Sequence, residues 1–190
     1  MRSRPILLSI LISAAIIVTS VFVTNEGKYH LPYDIKYHTL SKSMQKQVDC
    51  LTENILFEAG KESKQGQVAV ALVTLNRVAS RNYASDVCGV VHQKTNGVCQ
   101  FSWVCENKGE PNKNSYRYKV AQQVAFDVMA TDKHKDVIPN SVLFFHNLTV
   151  TPLWPYAEVV KIGNHIFYSK AKKKNLKPKK KPKTSASIDI

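Results

Sequence analysis

Between residues 47 and 78 the apolar positions fall into two helical patterns. In the first, Val48, Leu51, Ile55 and Ala59 recur at helical spacing and make one stripe. In the second, from about Gly66 to Val78, apolar residues stand on every side, from Val68 through Leu75, which predicts a helix buried all round. At about 13 residues it is too short to span a bilayer. Gly60, Lys61, Glu62, Ser63 and Gly66 suit a stop and a restart between the two. A third stripe, Val120, Ala121, Val124 and Val128, predicts a helix over 115–130 capped by Asn114 or Ser115. Residues 141–146 read as a strand or a buried extended segment. Residues 159–168 read as a hairpin, because two β-rich runs flank Gly163-Asn164, a two-residue turn of type II′ or I′. Residues 79–113 are rich in Ser, Asn, Gly and Pro and read as a long loop region; loops of that length in a compact domain are commonly functional. Pro152, Trp154, Pro155 and Tyr156 predict a rigid aromatic loop.

One residue breaks the first pattern. Glu58 lies on the apolar side of its helix, at the C-terminal end of the stripe. A carboxyl placed there loses water, so its neutral form is favoured and its pKa rises. That is how a glutamic acid stays protonated for general-acid work near neutral pH. The plainer alternative is a solvated charge at a helix end.

The ends of the chain differ from its middle. Met1, Arg2, Ser3 and Arg4 precede an uncharged, mostly apolar run over residues 5–23. Its length matches a membrane anchor better than a cleaved signal peptide, and both readings imply export. Arg2 and Arg4 place the N-terminus in the cytoplasm and the rest outside it. Residues 24–42, with Tyr29, Tyr33 and Tyr37, read as a linker or docked arm. Residues 43–169 hold 13 Lys+Arg against 11 Asp+Glu, whereas residues 170–190 hold nine Lys against Asp189. The formal net charge of +13 therefore belongs mainly to the tail, and an argument from pI toward specific nucleic-acid binding fails. The tail is low-complexity and lysine-rich. After export it suits anionic envelope polymers or lipid head groups, or it serves only as a solubilising tail.

Cys50, Cys88, Cys99 and Cys105 make an even count in an exported chain, which favours disulfides over zinc. Three pairings are available. Cys99 and Cys105 are close enough to clasp one loop, which leaves Cys50 for Cys88. That loop carries Phe101 and Trp103, which suit a sugar-stacking wall or a satellite hydrophobic cluster. The six histidines are dispersed, so neither a metal nor a cofactor is expected.

Several short strings fall in an order that resembles the SleB-like family of cell-wall hydrolases. They are Asn54, Glu58-Ala59, Glu62, Gly66-Gln67-Val68-Ala69, Leu75-Asn76-Arg77-Val78, Val87-Cys88 and Cys99-Gln100-Phe101-Ser102-Trp103, followed by Phe145-His146, Trp154, Ile162-Gly163 and His165-Ile166-Phe167-Tyr168. The resemblance covers about residues 47–169. It departs from the family where Gly60-Lys61 replaces the usual Arg-Gly. It implies an α+β, mainly α domain with a lysozyme-like helical core and a small β-hairpin, behind the N-terminal hydrophobic anchor. It also implies cleavage of peptidoglycan glycan strands, as a muramidase or a lytic transglycosylase. The family's catalytic glutamate falls on Glu58.

A two-carboxylate glycosidase needs a second acid about 5–9 Å away. Glu53 lies about 140° round the helix from Glu58 and points elsewhere, which leaves Glu62 and Glu158. A lytic transglycosylase needs Glu58 alone, and the lack of an obvious partner favours that route. Gln100, Phe101, Trp103, His146 and Trp154 are the expected sugar contacts. The expected setting is the bacterial envelope or periplasm, with the gene bacterial or phage-borne and residues 5–23 in the inner membrane. A non-catalytic peptidoglycan-binding module and a structural envelope protein are the alternatives. Turbidity clearing of purified cell wall separates both from an enzyme.

Overall fold

The computed structural model describes residues 37–172. The apolar run 5–23 and the lysine-rich tail beyond residue 172 lie outside the described residues. Among those described, no helix is long and apolar enough to cross a membrane. The chain divides after Thr39 into two units. Of the first, only Tyr37–Thr39 are described, and they are helical. Everything below concerns the second.

Helix α1 runs Lys42–Ala59, starting before the apolar stripe because the Ser41 hydroxyl accepts the Met44 N–H at 3.2 Å and caps it. Helix α2 runs Lys64–Val78 and is capped in the same way by Ser63. As the pattern predicts, α2 is buried from Gly66 to Thr74. Val48, Leu51, Ile55 and Ala59 of α1 are almost fully buried too. Burial of each larger aliphatic side chain contributes about 1.5–3 kcal/mol. Helix α1 packs on α2 and on two later helices, α3 (Val87–Val91) and α5 (Tyr116–Ala130).

The stretch read as one long loop is partly ordered. It holds α3, a ribbon of β1 (Lys94–Thr95) and β2 (Val98–Cys99), and the single-turn helix α4 (Ser102–Cys105). Asn96 and Gly97 both take positive φ, as a two-residue I′ turn requires. Two disulfides brace this region, Cys50–Cys88 and Cys99–Cys105. The first closes a separation of 38 residues and ties α1 to α3, worth about 4 kcal/mol by loop closure.

A three-stranded antiparallel sheet completes the α+β domain. Its strands are β3 (Val142–Asn147), β4 (Tyr156–Ile162) and β5 (His165–Lys172), in the order β3-β5-β4. The predicted hairpin is β4–β5. Gly163 alone takes positive φ at its turn, the φ pattern of type II′. Phe145 pairs with Phe167, and Asn147 with His165. The C-terminal end of α2 holds the sheet in place. Asn76 Nδ2 donates to the carbonyls of Pro139 (3.1 Å) and Val142 (3.0 Å), and Arg77 Nε donates to that of Leu143 (2.9 Å).

Glu62, from the α1–α2 loop, reaches the other end of the sheet. Its carboxylate accepts from Asn164 N (3.2 Å) and from Asn164 Nδ2 (2.9 Å). A Cβ at residue 163 would displace the Glu62 carboxylate, and the positive φ there also favours glycine. Glu62 is thus committed to holding the hairpin.

Candidate active site

A cleft of about 260 Å³ opens where α1, the clasped loop and the sheet meet. Glu58 and Arg77 line it from α1 and α2, and Gln100, Phe101 and Ser102 from the clasped loop. Phe145, His146 and Asn147 of β3 and His165 of β5 complete the wall. Glu58 is the only carboxyl among these side chains. Burial pushes its pKa up to about 7; Lys108 and then Arg77 pull it down, and Glu106 adds to the rise. The sequence-level reading of a partly desolvated acid therefore describes its surroundings.

The clasped loop owes its position to Trp103. The indole is buried, stacks on Phe57 at 4.6 Å, and donates from Nε1 to Asn54 Oδ1 at 3.0 Å. Asn54 in turn donates to Thr74 Oγ1 at 3.1 Å, joining loop, α1 and α2. Trp103 is therefore not the sugar platform expected from sequence: its ring is taken up by the core, and it does not line the cleft. Phe101 lines the cleft but is only 3% exposed, so it forms the floor. Gln100 and His146 line the cleft as expected.

Trp154 stands beside the cleft in an aromatic group. It meets His146 edge-on at 5.7 Å and Tyr168 at 5.9 Å. His146 itself stacks on Tyr168, shares a 2.8 Å hydrogen bond with the Tyr168 hydroxyl through Nε2, and bonds the Asn147 carbonyl through Nδ1. His146 thus belongs to both the cleft and the aromatic group.

The proposed second acids are elsewhere. Glu62 holds Asn164, and Glu158 is exposed on β4; Glu53, set aside from sequence, faces Glu110, Lys113 and Asp49. The carboxylate that does act on Glu58 is Glu106, which the sequence reading passed over. It is exposed, and hydrogen bonds from Lys108 and then Ser102 hold its pKa below the usual range.

The model of the cell wall hydrolase family matches residues 61–168 of this chain. The chain belongs to that family. Similar curated members include the spore cortex-lytic enzyme of Bacillus cereus, 28% identical over 125 residues. That alignment takes in 65% of this chain and 44% of the relative, so the chain spans less than half the relative's length. Among solved structures, the fold is similar to the catalytic domain of the germination-specific lytic transglycosylase SleB from Bacillus anthracis. The TM-score is 0.52 at 25% identity, over 73% of this chain and all of that one. The catalytic domain of Bacillus cereus SleB gives 0.50 at 23% identity, over 76% and 99%, and shows the shared fold.

Within this cell wall hydrolase domain, two buried cleft residues went unnoticed as site residues in the sequence. Arg77 is 5% exposed and His165 3%. Each has a nitrogen without a hydrogen-bond partner, Arg77 Nη1 and His165 Nδ1. Burial, and then His146, lower the His165 pKa, while Glu62 raises it. Their sequence signal was only membership in the strings that carry the family resemblance. Among the described residues no group of three or more His, Cys, Asp or Glu side chains is placed to hold a metal ion.

Proposed function

We propose that this domain cleaves the glycan strands of peptidoglycan as a lytic transglycosylase, with Glu58 as general acid and then general base. One observation carries the reading: a single carboxyl lines the cleft, and burial raises its pKa to about 7, so it still carries its proton in about half the molecules at neutral pH. The family match begins at residue 61, so it supports the substrate class and leaves the role of Glu58 to the geometry.

Glu58 gives its proton to the glycosidic oxygen as the C1–O bond breaks. The resulting carboxylate takes the proton of the sugar's own 6-hydroxyl, whose oxygen closes on C1. The product is a 1,6-anhydro sugar, no water is consumed, and Glu58 ends protonated. Gln100 and His146 contact the sugar at the cleft, Phe101 forms its floor, and Trp154 extends the wall beyond His146.

Mass spectrometry of digested sacculi tests this directly. Anhydro ends, one water lighter than reducing ends, are the expected product. Reducing ends would instead favour hydrolysis with Glu106 as the second carboxylate, because Glu106 is held ionised and acts on Glu58. Absence of any soluble fragment would leave a binding module or a structural envelope protein.

The acid must carry its proton to work. The rate constant kcat/KM on a short soluble glycan is therefore expected to fall as pH rises through about 7, by about tenfold per pH unit beyond it. A rate that stays level through that range would remove Glu58 as the proton donor.

We also infer that residues 5–23 meet the inner membrane and that the tail from residue 170 holds anionic envelope polymers or lipids. Each Lys near an anionic surface adds about 1 kcal/mol. Deleting residues 170–190 is expected to weaken sedimentation with sacculi at low salt and to leave turnover of a short glycan unchanged. Loss of turnover in the folded truncation would place the tail in the site.

A further inference from the structure

Arg77 is a charged group in an apolar setting without an acid to answer it. Its guanidinium lies over the rings of Phe101 at 5.0 Å and Tyr83 at 5.4 Å. Its Nε is taken by the Leu143 carbonyl. Among the described residues the ion pairs are Lys64–Asp127 and Lys108–Glu106, so no carboxylate lies within ion-pair distance of Arg77. Its Nη1 is buried and unpartnered. A buried cation left this way is costly, and such orphaned donors in native proteins call for an explanation.

The cleft supplies one. The only carboxyl lining it with Arg77 is Glu58. While Glu58 is protonated it gives Arg77 no charge to pair with. The anion appears only once the proton has gone to the leaving oxygen. We propose that Arg77 is a positioning residue, whose free Nη1–H is held ready for the carboxylate that Glu58 becomes during the reaction. This rests on the reading of Glu58 as the general acid. Two rings and the Nε hydrogen bond hold the guanidinium, so the stabilising charge is in place before the reaction and needs no rearrangement.

The groups facing Glu58 are Arg77 from α2, Lys108 and Glu106 from the segment after α4, His146 from β3 and His165 from β5. Lys108 acts more strongly on Glu58 than Arg77 does. Its side chain is 44% exposed and paired with Glu106, so salt screens it. Arg77 is buried and keeps its effect at physiological ionic strength.

The test is a carbon-13 NMR titration of the Glu58 carboxyl in the full chain at physiological salt, with the resonance assigned from Glu58→Gln. Arg77→Gln is expected to raise the Glu58 midpoint by about one pH unit or more, the usual size of losing a close opposite charge. Arg77→Lys keeps the charge and is expected to restore most of that displacement. The alkaline limb of kcat/KM should move up with the midpoint in Arg77→Gln, while kcat falls about tenfold or more. A folded Arg77→Gln protein with an unmoved midpoint overturns the proposal, because a merely structural arginine would behave so.

If Arg77→Gln does not fold, the Arg77 guanidinium resonances of the unaltered chain decide instead. They are expected to shift with the Glu58 midpoint and to lose that shift in Glu58→Gln. A level response overturns the proposal. None of these titrations needs turnover, so they stand or fall separately from the role of Glu58 in cleavage.

Discussion

Glu58→Gln is expected to lose at least about 10²-fold of its wall-clearing rate while keeping its fold. The carboxamide has the shape of the acid and no proton to give. Nothing else lining the cleft is a carboxyl, and His165, the nearest alternative in kind, is pushed by burial toward its neutral form. The same variant should be more stable than the native chain at neutral and higher pH. The sign follows from the proton balance. Glu58 ionises near 4.5 when unfolded and near 7 when folded, so between these values the folded state holds the extra proton. Stability from this group therefore falls as pH rises from 4.5 toward 7, and glutamine escapes that loss. Turbidity clearing of purified cell wall, with urea unfolding at pH 5 and pH 8, measures both effects. Normal clearing by Glu58→Gln would end the assignment.

Trp103→Ala is expected to destabilise the domain by about 3–5 kcal/mol, the range for truncating a buried aromatic. It removes the stack on Phe57 and leaves Asn54 Oδ1 buried without its donor. Because the indole anchors the segment that brings Gln100, Phe101 and Ser102 to the cleft, activity should fall more than the folded fraction does. Trp103→Phe keeps most of the stacking and loses only the hydrogen bond, which should cost about 1–3 kcal/mol. Urea unfolding read against clearing rate checks this. A loss below about 1 kcal/mol for Trp103→Ala would mean that the loop is held by Cys99–Cys105 alone.

The parts of this domain that follow a local rule were legible in its sequence. The α1 stripe set its buried face and put Glu58 on it. The Gly163-Asn164 pair marked the hairpin, and the cap signal at Asn114 or Ser115 marked the start of α5, where Ser115 is the cap. Asn96-Gly97 carried an equally clear turn signal, but it was submerged in a stretch read as loop. Arg77 was hidden for a different reason. A basic residue in the last turn of a helix ordinarily faces water and complements the helix dipole. Only the arrival of Phe101 and Tyr83 from distant segments buries it. Trp103 was misplaced because a loop residue has no period to show which way it faces. Glu106 has no apolar stripe around it, and its effect on Glu58 exists only through folding.

The grip of Glu62 on Asn164 also bears on how such a chain can vary in length. An extra residue at 163–164 would carry Asn164 away from Glu62 and break both of their hydrogen bonds, so an insertion at that corner loosens the hairpin. The run from Glu106 to Lys113 is almost wholly exposed, with left-handed backbone at Asn107 and Gly109. It can lengthen or shorten without disturbing a packed neighbour. That slack run carries Lys108 and Glu106, two of the charges that set the acidity of Glu58. Insertions and deletions there give descendants of this chain a route to a different acidity of Glu58 with the core, both disulfides and the Glu58 carboxyl itself left as they are.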